Sequence, residues 1–384
     1  MLFTRDKPMT QRLKVLLLIP HLGGGGAEQV TALLARNISR RKYELHLALV
    51  TQINTGVQSL PQGVSIHALN SSRVRTGALR LLRLVRSLKP DVILSGMAHL
   101  NFLVLLLRPF FPRSTHVLVR QNTTASDTPL TANHPSVTRL LYRWLYRRAD
   151  CVICQTPAMA SDLRANFGVP QQKLLVLPNP VDAATIRATV DASPSPWANL
   201  RPASAGPHLL AVGRLSREKG FDLLLGAIVI VRKRFPDAEL VIAGSGPEEI
   251  ALKKLCHDTE LDSAVRFAGY IDRPSDYFSG ASLFVLSSRH EGLPNALLEA
   301  AASGLPLVVT PASEGMTDLL RNQPGVWLAK EITAEALAIA LLTALIVLRP
   351  GQRFPHAFVD PFSLDRAIPA YEALIDATFK ESQQ

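Results

Sequence analysis

Residues 283–300 read LFVLSSRHEGLPNALLEA, and the order of residue types is that of a strand, a turn and a helix. Leu283, Phe284, Val285 and Leu286 form an apolar run too short for a helix, which suits a strand buried on both faces of a parallel sheet. Polar residues and Gly292 follow, and Pro294 suits the first turn of a helix, where its missing N–H is no loss. Glu291 then falls on the loop, and Glu299 sits about one turn into the helix, eight positions on. A helix start directs backbone N–H groups at an anion such as a phosphate. A carboxylate on each side of an anion is unfavourable unless each accepts hydrogen bonds from neutral hydroxyls, and sugars present such hydroxyls. The helix dipole alone accounts for one N-terminal Glu. It does not account for two Glu residues around a Gly-Leu-Pro turn.

Outward from this stretch, short apolar runs and helical patterns keep alternating, the signature of parallel sheets with crossover helices. Strands are predicted at 208–212, 239–243, 265–269, 283–286 and 307–310 in the second half, and at 14–19, 44–51, 92–94, 115–120 and 151–155 in the first, which ends near 176–179. Between the halves, residues 183–207 carry Ser-Pro-Ser-Pro at 193–196 and prolines at 202 and 207, a linker composition. The expectation is an α/β chain of two Rossmann-like domains, 1–182 and 207–360, facing a central cleft and joined by a linker at 183–206. Ligands then belong at the carboxyl ends of the strands.

The composition of the 384 residues narrows the classes. With 47% hydrophobic and 19% charged residues the chain is not disordered. The longest nearly uninterrupted apolar stretch, 336–348, has 13 residues against about 20 for a spanning helix. Residues 1–14 lack the apolar core of a secretory signal, and three cysteines offer no disulfide framework. A soluble or membrane-peripheral protein of a reducing compartment is expected. Charge is uneven: residues 1–182 carry a net +15 and residues 183–384 a net −4. Arg73, Arg75, Arg80, Arg83, Arg86 and Lys89 interleave with Leu79, Leu81, Leu82, Leu84, Val85 and Leu88, and Arg108 and Phe110–Phe111 follow an apolar run. Cations beside apolar residues suit an anionic membrane surface, so residues 73–111 are the expected contact. No RNP-like, zinc-finger or helix-turn-helix signature favours nucleic acid.

Several loops carry candidate chemistry. Gly23 to Gly26 and Ala27-Glu28 lie between the first strand and a helix, where glycines admit a ligand close to the backbone. The spacing departs from G-x-G-x-x-G, and Val50-Thr51-Gln52 stands where a dinucleotide site wants an acid, which argues against NAD. Gly213 to Gly220 follow a strand, with Arg214 and Lys219 suited to clamp a diphosphate. Gly244-Ser245-Gly246 reads as tight turn geometry. Cys151 and Cys154 are three apart in a predicted strand and point to opposite faces, so they read as core rather than a redox pair. There is no D-x-D pair and no His/Cys cluster at metal-ligand spacing, so no metal is expected.

Residues 288–300 resemble the E-x7-E motif of the GT4 family of retaining glycosyltransferases, which have the GT-B fold. Residues 213–219, Phe267-Ala268-Gly269-Tyr270 leading to Asp276, Leu177-Pro178-Asn179-Pro180-Val181-Asp182, and Gly25-Gly26-Ala27-Glu28 are similar to other family segments and occur in family order. The resemblance implies that Glu299 binds the nucleotide ribose and that Glu291 contacts the donor sugar. Arg214 and Lys219 would hold the diphosphate, with backbone around Gly292, Leu293 and Asn295 on sugar and phosphate. Gly25 and Gly26 would face donor phosphate and acceptor. A first-half histidine near the donor sugar is expected to be His99, with His21 and His116 as weaker candidates. Residues 361–384 look like the family's terminal helix, which packs back on the first domain. Residues 336–348 depart from the family in lacking charge on that helix's outer face, so this helix is expected to be buried on both sides or to touch membrane.

A retaining transfer through a same-face, oxocarbenium-like step is implied, with no cofactor beyond the nucleotide-sugar co-substrate. GGAE together with EGLPN resembles relatives using UDP-hexoses or UDP-N-acetylhexosamines on lipid-linked or lipopolysaccharide-type glycans, which favours UDP over GDP. The expected place is the cytoplasmic side, peripheral at the inner face of the cytoplasmic membrane. A glycosidase would need a flanking acid and nucleophile at defined separation. A catalytically silent membrane partner subunit and a nucleotide-sugar epimerase remain the alternatives.

Overall fold

Among the described residues, thirteen strands form two wholly parallel sheets. The computed structural model describes residues 12–23, 25–51, 60, 62–71, 74–128, 134–192, 197 and 206–381. Two units result: residues 1–155, 160–177 and 367–384, and residues 156–159 and 178–366.

In the first unit, β1 (Leu13–Ile19), β2 (Tyr43–Leu49), β3 (Val64–Ala68), β4 (Val92–Ser95), β5 (His116–Gln121), β6 (Cys151–Cys154) and β7 (Leu174–Val176) are ordered β3-β2-β1-β4-β5-β6-β7. The central strand β1 is fully buried from Val15 to Ile19, as a strand covered by helices on both faces must be. The chain leaves β1 toward β2 and β3, then returns to β4 on the other side, so the strand order reverses between β1 and β4. Such a switch point opens a crevice at the carboxyl ends. The terminal helix Leu364–Glu381 belongs to this unit from residue 367 onward. Its Tyr371 is buried and accepts from Arg120 Nε at 3.1 Å, and its Asp376 accepts from the Tyr43 hydroxyl at 2.7 Å.

In the second unit, β8 (His208–Val212), β9 (Glu239–Ala243), β10 (Val265–Gly269), β11 (Leu283–Leu286), β12 (Leu307–Val309) and β13 (Val326–Leu328) are ordered β10-β9-β8-β11-β12-β13, so the switch point lies between β8 and β11. One core is centred on the helix Asn295–Ala302, and the other lies under the helices Phe221–Arg232 and Ala334–Val347.

Three expectations need correction. β3, β7 and β13 were not anticipated; each is an edge strand with partly or fully exposed residues, so none shows the continuous apolar run of a central strand. The expected linker 183–206 begins as a helix, Ala183–Ala192, whose Ile186 is buried in the second unit's core. Residues 193–196 and 198–205 lie outside the described residues. The helix Ala334–Val347 is not buried all round: Leu337 and Leu341 are buried, whereas Ile339, Ile346 and Val347 are exposed. No helix among the described residues is long and apolar enough to cross a membrane.

Candidate active site

The loops flanking the second unit's switch point, 213–220 after β8 and 287–294 after β11, are joined by a dense set of hydrogen bonds. Arg289 donates to both oxygens of Asp222, at 2.7 and 2.6 Å, and to the Arg217 carbonyl at 3.0 Å. The Arg289 guanidinium holds the Asp222 carboxyl below its ordinary pKa by these hydrogen bonds, and the Arg289 pKa is raised in return. The Arg289 amide donates to the Glu218 carbonyl at 2.7 Å, and Ser287 Oγ to the Lys219 carbonyl at 2.9 Å. Gly220 makes this approach possible. Its φ is +63°, and a Cβ there would stand 2.1 Å from the Ser287 carbonyl oxygen.

Within this frame Lys219 Nζ donates to Glu291 Oε1, which also accepts from Ser288 Oγ at 2.7 Å. Ser288 is held in turn, because Thr310 Oγ1 donates to its carbonyl at 2.6 Å. Glu291 and Glu299 are both buried, at 7% and 8% exposure, so neither is the surface carboxylate that sequence position alone would allow. The Glu291 charge is met by an ammonium and a hydroxyl, the arrangement a buried carboxylate requires.

The helix Asn295–Ala302 starts from Pro294 in extended conformation, and no side chain caps it, which leaves its positive end available to an anion. Asn179 Nδ2 donates to the Asn295 side-chain oxygen at 2.9 Å, and both residues are buried. Gly292 accepts from Ser313 Oγ at 3.0 Å, while the Leu293 side chain is core. Leu293 can therefore meet a ligand only through its backbone. Arg214 is exposed on its loop. Lys219, Glu291, Gly292, Asn295 and Glu299 thus come together on two adjoining loops and one helix start, with Arg214 on the first loop.

At the first unit's switch point, Gly25 caps the helix Gly26–Asn37 in extended conformation, and Gly24 lies outside the described residues. Glu28 is buried in the first turn with its carboxylate folded over Gly25, where a Cβ would meet it at 2.2 Å. His21 Nδ1 accepts from the Gly23 amide at 3.0 Å and lies 3.8 Å from Glu28 Oε1. His99 opens the helix Ala98–Leu107 after β4. Its pKa is lowered first by desolvation of the ring and second by the charge of His21. The expected His99 and the weaker candidate His21 thus belong to loops at the same, carboxyl, end of the sheet, after β4 and β1. His116 stands at the opposite end, as the first residue of β5. Neither Cys151 nor Cys154 is in a disulfide, and burial pushes the Cys154 thiol up to about 12, which keeps it inert.

Ser288, Thr310 and the Asp222–Arg289 pair were not singled out from sequence, and nothing in their spacing marks them. Asn179 and Glu28 stood inside recognised segments without a role of their own.

Two wholly parallel doubly wound sheets, with the candidate site residues at their switch points, are the architecture of the GT-B fold. The family model described as "Glycosyltransferase Family 4" matches residues 24–185, and "Glycosyl transferases group 1" matches 206–346. The chain belongs to the GT4-type glycosyltransferases. It is 28% identical over 320 residues to the N-acetylgalactosamine-N,N'-diacetylbacillosaminyl-diphospho-undecaprenol 4-alpha-N-acetylgalactosaminyltransferase of Campylobacter jejuni, covering 80% of this chain and 83% of that protein. It is also 28% identical to the lipopolysaccharide core biosynthesis glycosyltransferase LpsE of Rhizobium meliloti, over 77% of this chain and 79% of that one. Among solved structures, sucrose-phosphate synthase from Thermosynechococcus elongatus superposes with a TM-score of 0.80 at 17% identity, over 96% of this chain and all of that one. Anabaena HepE, solved with UDP and glucose, gives 0.77 at 15%, over 95% and 100%.

Proposed function

We propose that this glycosyltransferase moves a hexose or N-acetylhexosamine from a UDP-sugar, with retention, to a lipid-linked or polysaccharide acceptor in cell-surface glycan biosynthesis. The observation that carries the reading is the contact of half-buried Lys219 with buried Glu291 and Ser288 beside the uncapped start of Asn295–Ala302. Glu299, one turn into that helix, binds the ribose hydroxyls. Arg214, Lys219 and the helix amides take the charge of the departing diphosphate as preorganised electrostatics, without a required metal. Glu291 accepts from a donor-sugar hydroxyl. In the transfer the bond from the anomeric carbon to the phosphate oxygen breaks as the acceptor oxygen bonds on the same face. The acceptor proton passes to the leaving phosphate. His99, kept neutral by its lowered pKa, offers a hydrogen bond to the donor sugar, and Gly25 and Gly26 admit donor phosphate and acceptor. Names of relatives acting on diphospho-undecaprenol and lipopolysaccharide support the acceptor class.

The enzyme works at the inner face of the cytoplasmic membrane, drawn there by the basic stretch 73–111. Arg80, Arg83 and Arg86 are exposed on the helix Ala78–Leu88, which buries Leu81 and Val85; Arg73 and the Arg75 side chain lie outside the described residues.

Thermal shift against UDP, GDP, ADP and NAD, each with EDTA present, tests the donor site. A ligand at 100 times its Kd adds about 2.7 kcal/mol. Stabilisation by UDP alone, lost in Glu299→Ala, is the expected result. A GDP-selective shift would replace the donor, and no shift from any nucleotide would leave a silent partner subunit.

A further inference from the structure

The strand order of the first unit places the helices Ala78–Leu88, Ala98–Leu107 and Pro135–Leu145 on one side of its sheet, since each follows a crossover in the same direction. The last of these carries several exposed apolar residues on one helix, whereas within the basic stretch 73–111 Leu79, Leu106 and Phe110 are exposed singly on separate elements. Val137, Leu140 and Trp144 are 54%, 56% and 66% exposed. At about 100° per residue they share a sector of roughly 60°. Arg139 and Arg143 are also exposed and occupy the next sector round. The opposite face is buried, with Tyr142 and Leu145 turned inward.

That inner face is firmly held. Phe102 meets Tyr142 edge-on at 5.0 Å between ring centroids, and Phe167 lies 5.1 Å from Tyr142. Gln121 Nε2 donates to the Tyr142 hydroxyl at 3.0 Å, and Tyr146 donates to Gln121 Oε1 at 2.7 Å. The apolar stripe is therefore presented on a rigid support, so little ordering entropy opposes its burial elsewhere. Arg139 and Arg143 line an open groove with Ser136, Leu140, Asn166 and Phe167. No acidic residue occurs between Asp127 and Asp150, and residues 73–149 hold 13 Lys+Arg against two Asp.

A soluble surface does not ordinarily expose Trp, Leu and Val in one line. A protein partner would accept the apolar line but has no general need of a flank this basic. An anionic bilayer meets both: tryptophan and aliphatic side chains sit at the acyl boundary, and arginines sit among the headgroup phosphates. We propose that the helix Pro135–Leu145 is the element that enters the interface of an anionic bilayer, with Leu140 and Trp144 inserted and Arg139 and Arg143 at headgroup level. The proposal deepens, and rests on, the peripheral-membrane part of the function above.

Trp144 is its own probe, because Trp197 is buried and Trp327 is partly buried. Adding phosphatidylglycerol vesicles to the full chain shifts tryptophan emission to the blue, and phosphatidylcholine vesicles do not. Trp144→Phe loses the shift but still co-sediments with the vesicles. Leu140→Asp with Trp144→Asp abolishes co-sedimentation, and Arg139→Ser with Arg143→Ser weakens it about 30-fold at low salt. The UDP-induced thermal shift, measured without vesicles, is unchanged in all these variants, which separates a failure of this proposal from a failure of the donor assignment. Unchanged wild-type emission on phosphatidylglycerol overturns the proposal even if the Asp variant does not fold. Wild-type-like sedimentation of a folded Asp variant also overturns it. So does light scattering that shows a wild-type dimer lost in that variant, since the stripe then belongs to a second copy.

Discussion

At Lys219 and Glu291 the candidate site meets its first physical demand, because a carboxylate 7% exposed must be compensated. Removing the cation alone leaves that charge behind. Lys219→Met should therefore lower stability by about 1–3 kcal/mol, while Lys219→Met with Glu291→Leu should recover much of the loss. Denaturant melts of the two single variants and the double variant measure the coupling directly. Gly220→Ala is a second expected failure. Any Cβ both opposes the left-handed backbone and strikes the Ser287 carbonyl, so donor binding and Tm should fall together. Glu291, Glu299 and Lys219 stood out in the sequence because their types and spacing suit a sugar and a diphosphate. That Lys219 rests on Glu291 did not, since the contact joins residues 72 positions apart.

The helix Asn295–Ala302 shows how an element is aimed. Its apolar residues seat it in the core, but its start is tied by the Asn179 side chain, itself buried. Asn179→Ala leaves the Asn295 oxygen without that donor in a buried position, which costs about 1–3 kcal/mol. Both Asn179→Ala and Asn179→Asp remove the donating amide and should weaken UDP binding, whereas only Asn179→Ala also loses side-chain volume and packing. Calorimetric titration of both variants with UDP, set against their Tm values, separates the two effects. The central strands were legible as apolar runs because helices cover both of their faces. β3, β7 and β13 were not, since exposure at a sheet edge removes the selection for an apolar run.

Across the whole molecule, burial and pH are linked. The pKa values of His67, His99 and His356 are all lowered, chiefly by desolvation, whereas that of the exposed His257 beside Asp262 is raised. A histidine with a depressed folded pKa contributes stability above its unfolded value of about 6.5 and loses it as pH falls through the folded value. Three groups act in this sense and one against, so Tm should decline from pH 7 toward pH 5.5, and transfer should lose rate only at pH values below the ordinary histidine pKa, as His99 becomes charged. A pH series of Tm and turnover checks both, and His99→Gln should flatten the second. The terminal helix makes a matching long-range demand. Tyr371→Phe removes one acceptor of Arg120 inside the first unit and should lower Tm without touching the donor site.

Local chemistry in the chain was enough to reveal alternating strands and helices, two doubly wound halves and the cationic first half, and to single out the Glu291–Glu299 stretch as the candidate site. These properties live in residue type and short spacing, which a linear sequence displays. Strand order, the helix begun at Ala183, the approach of His21 to Glu28, and the outward line of Val137, Leu140 and Trp144 required folding. Each depends on which distant segments share a sheet or cover a face, and burial of that kind is a property of packing rather than of any one segment.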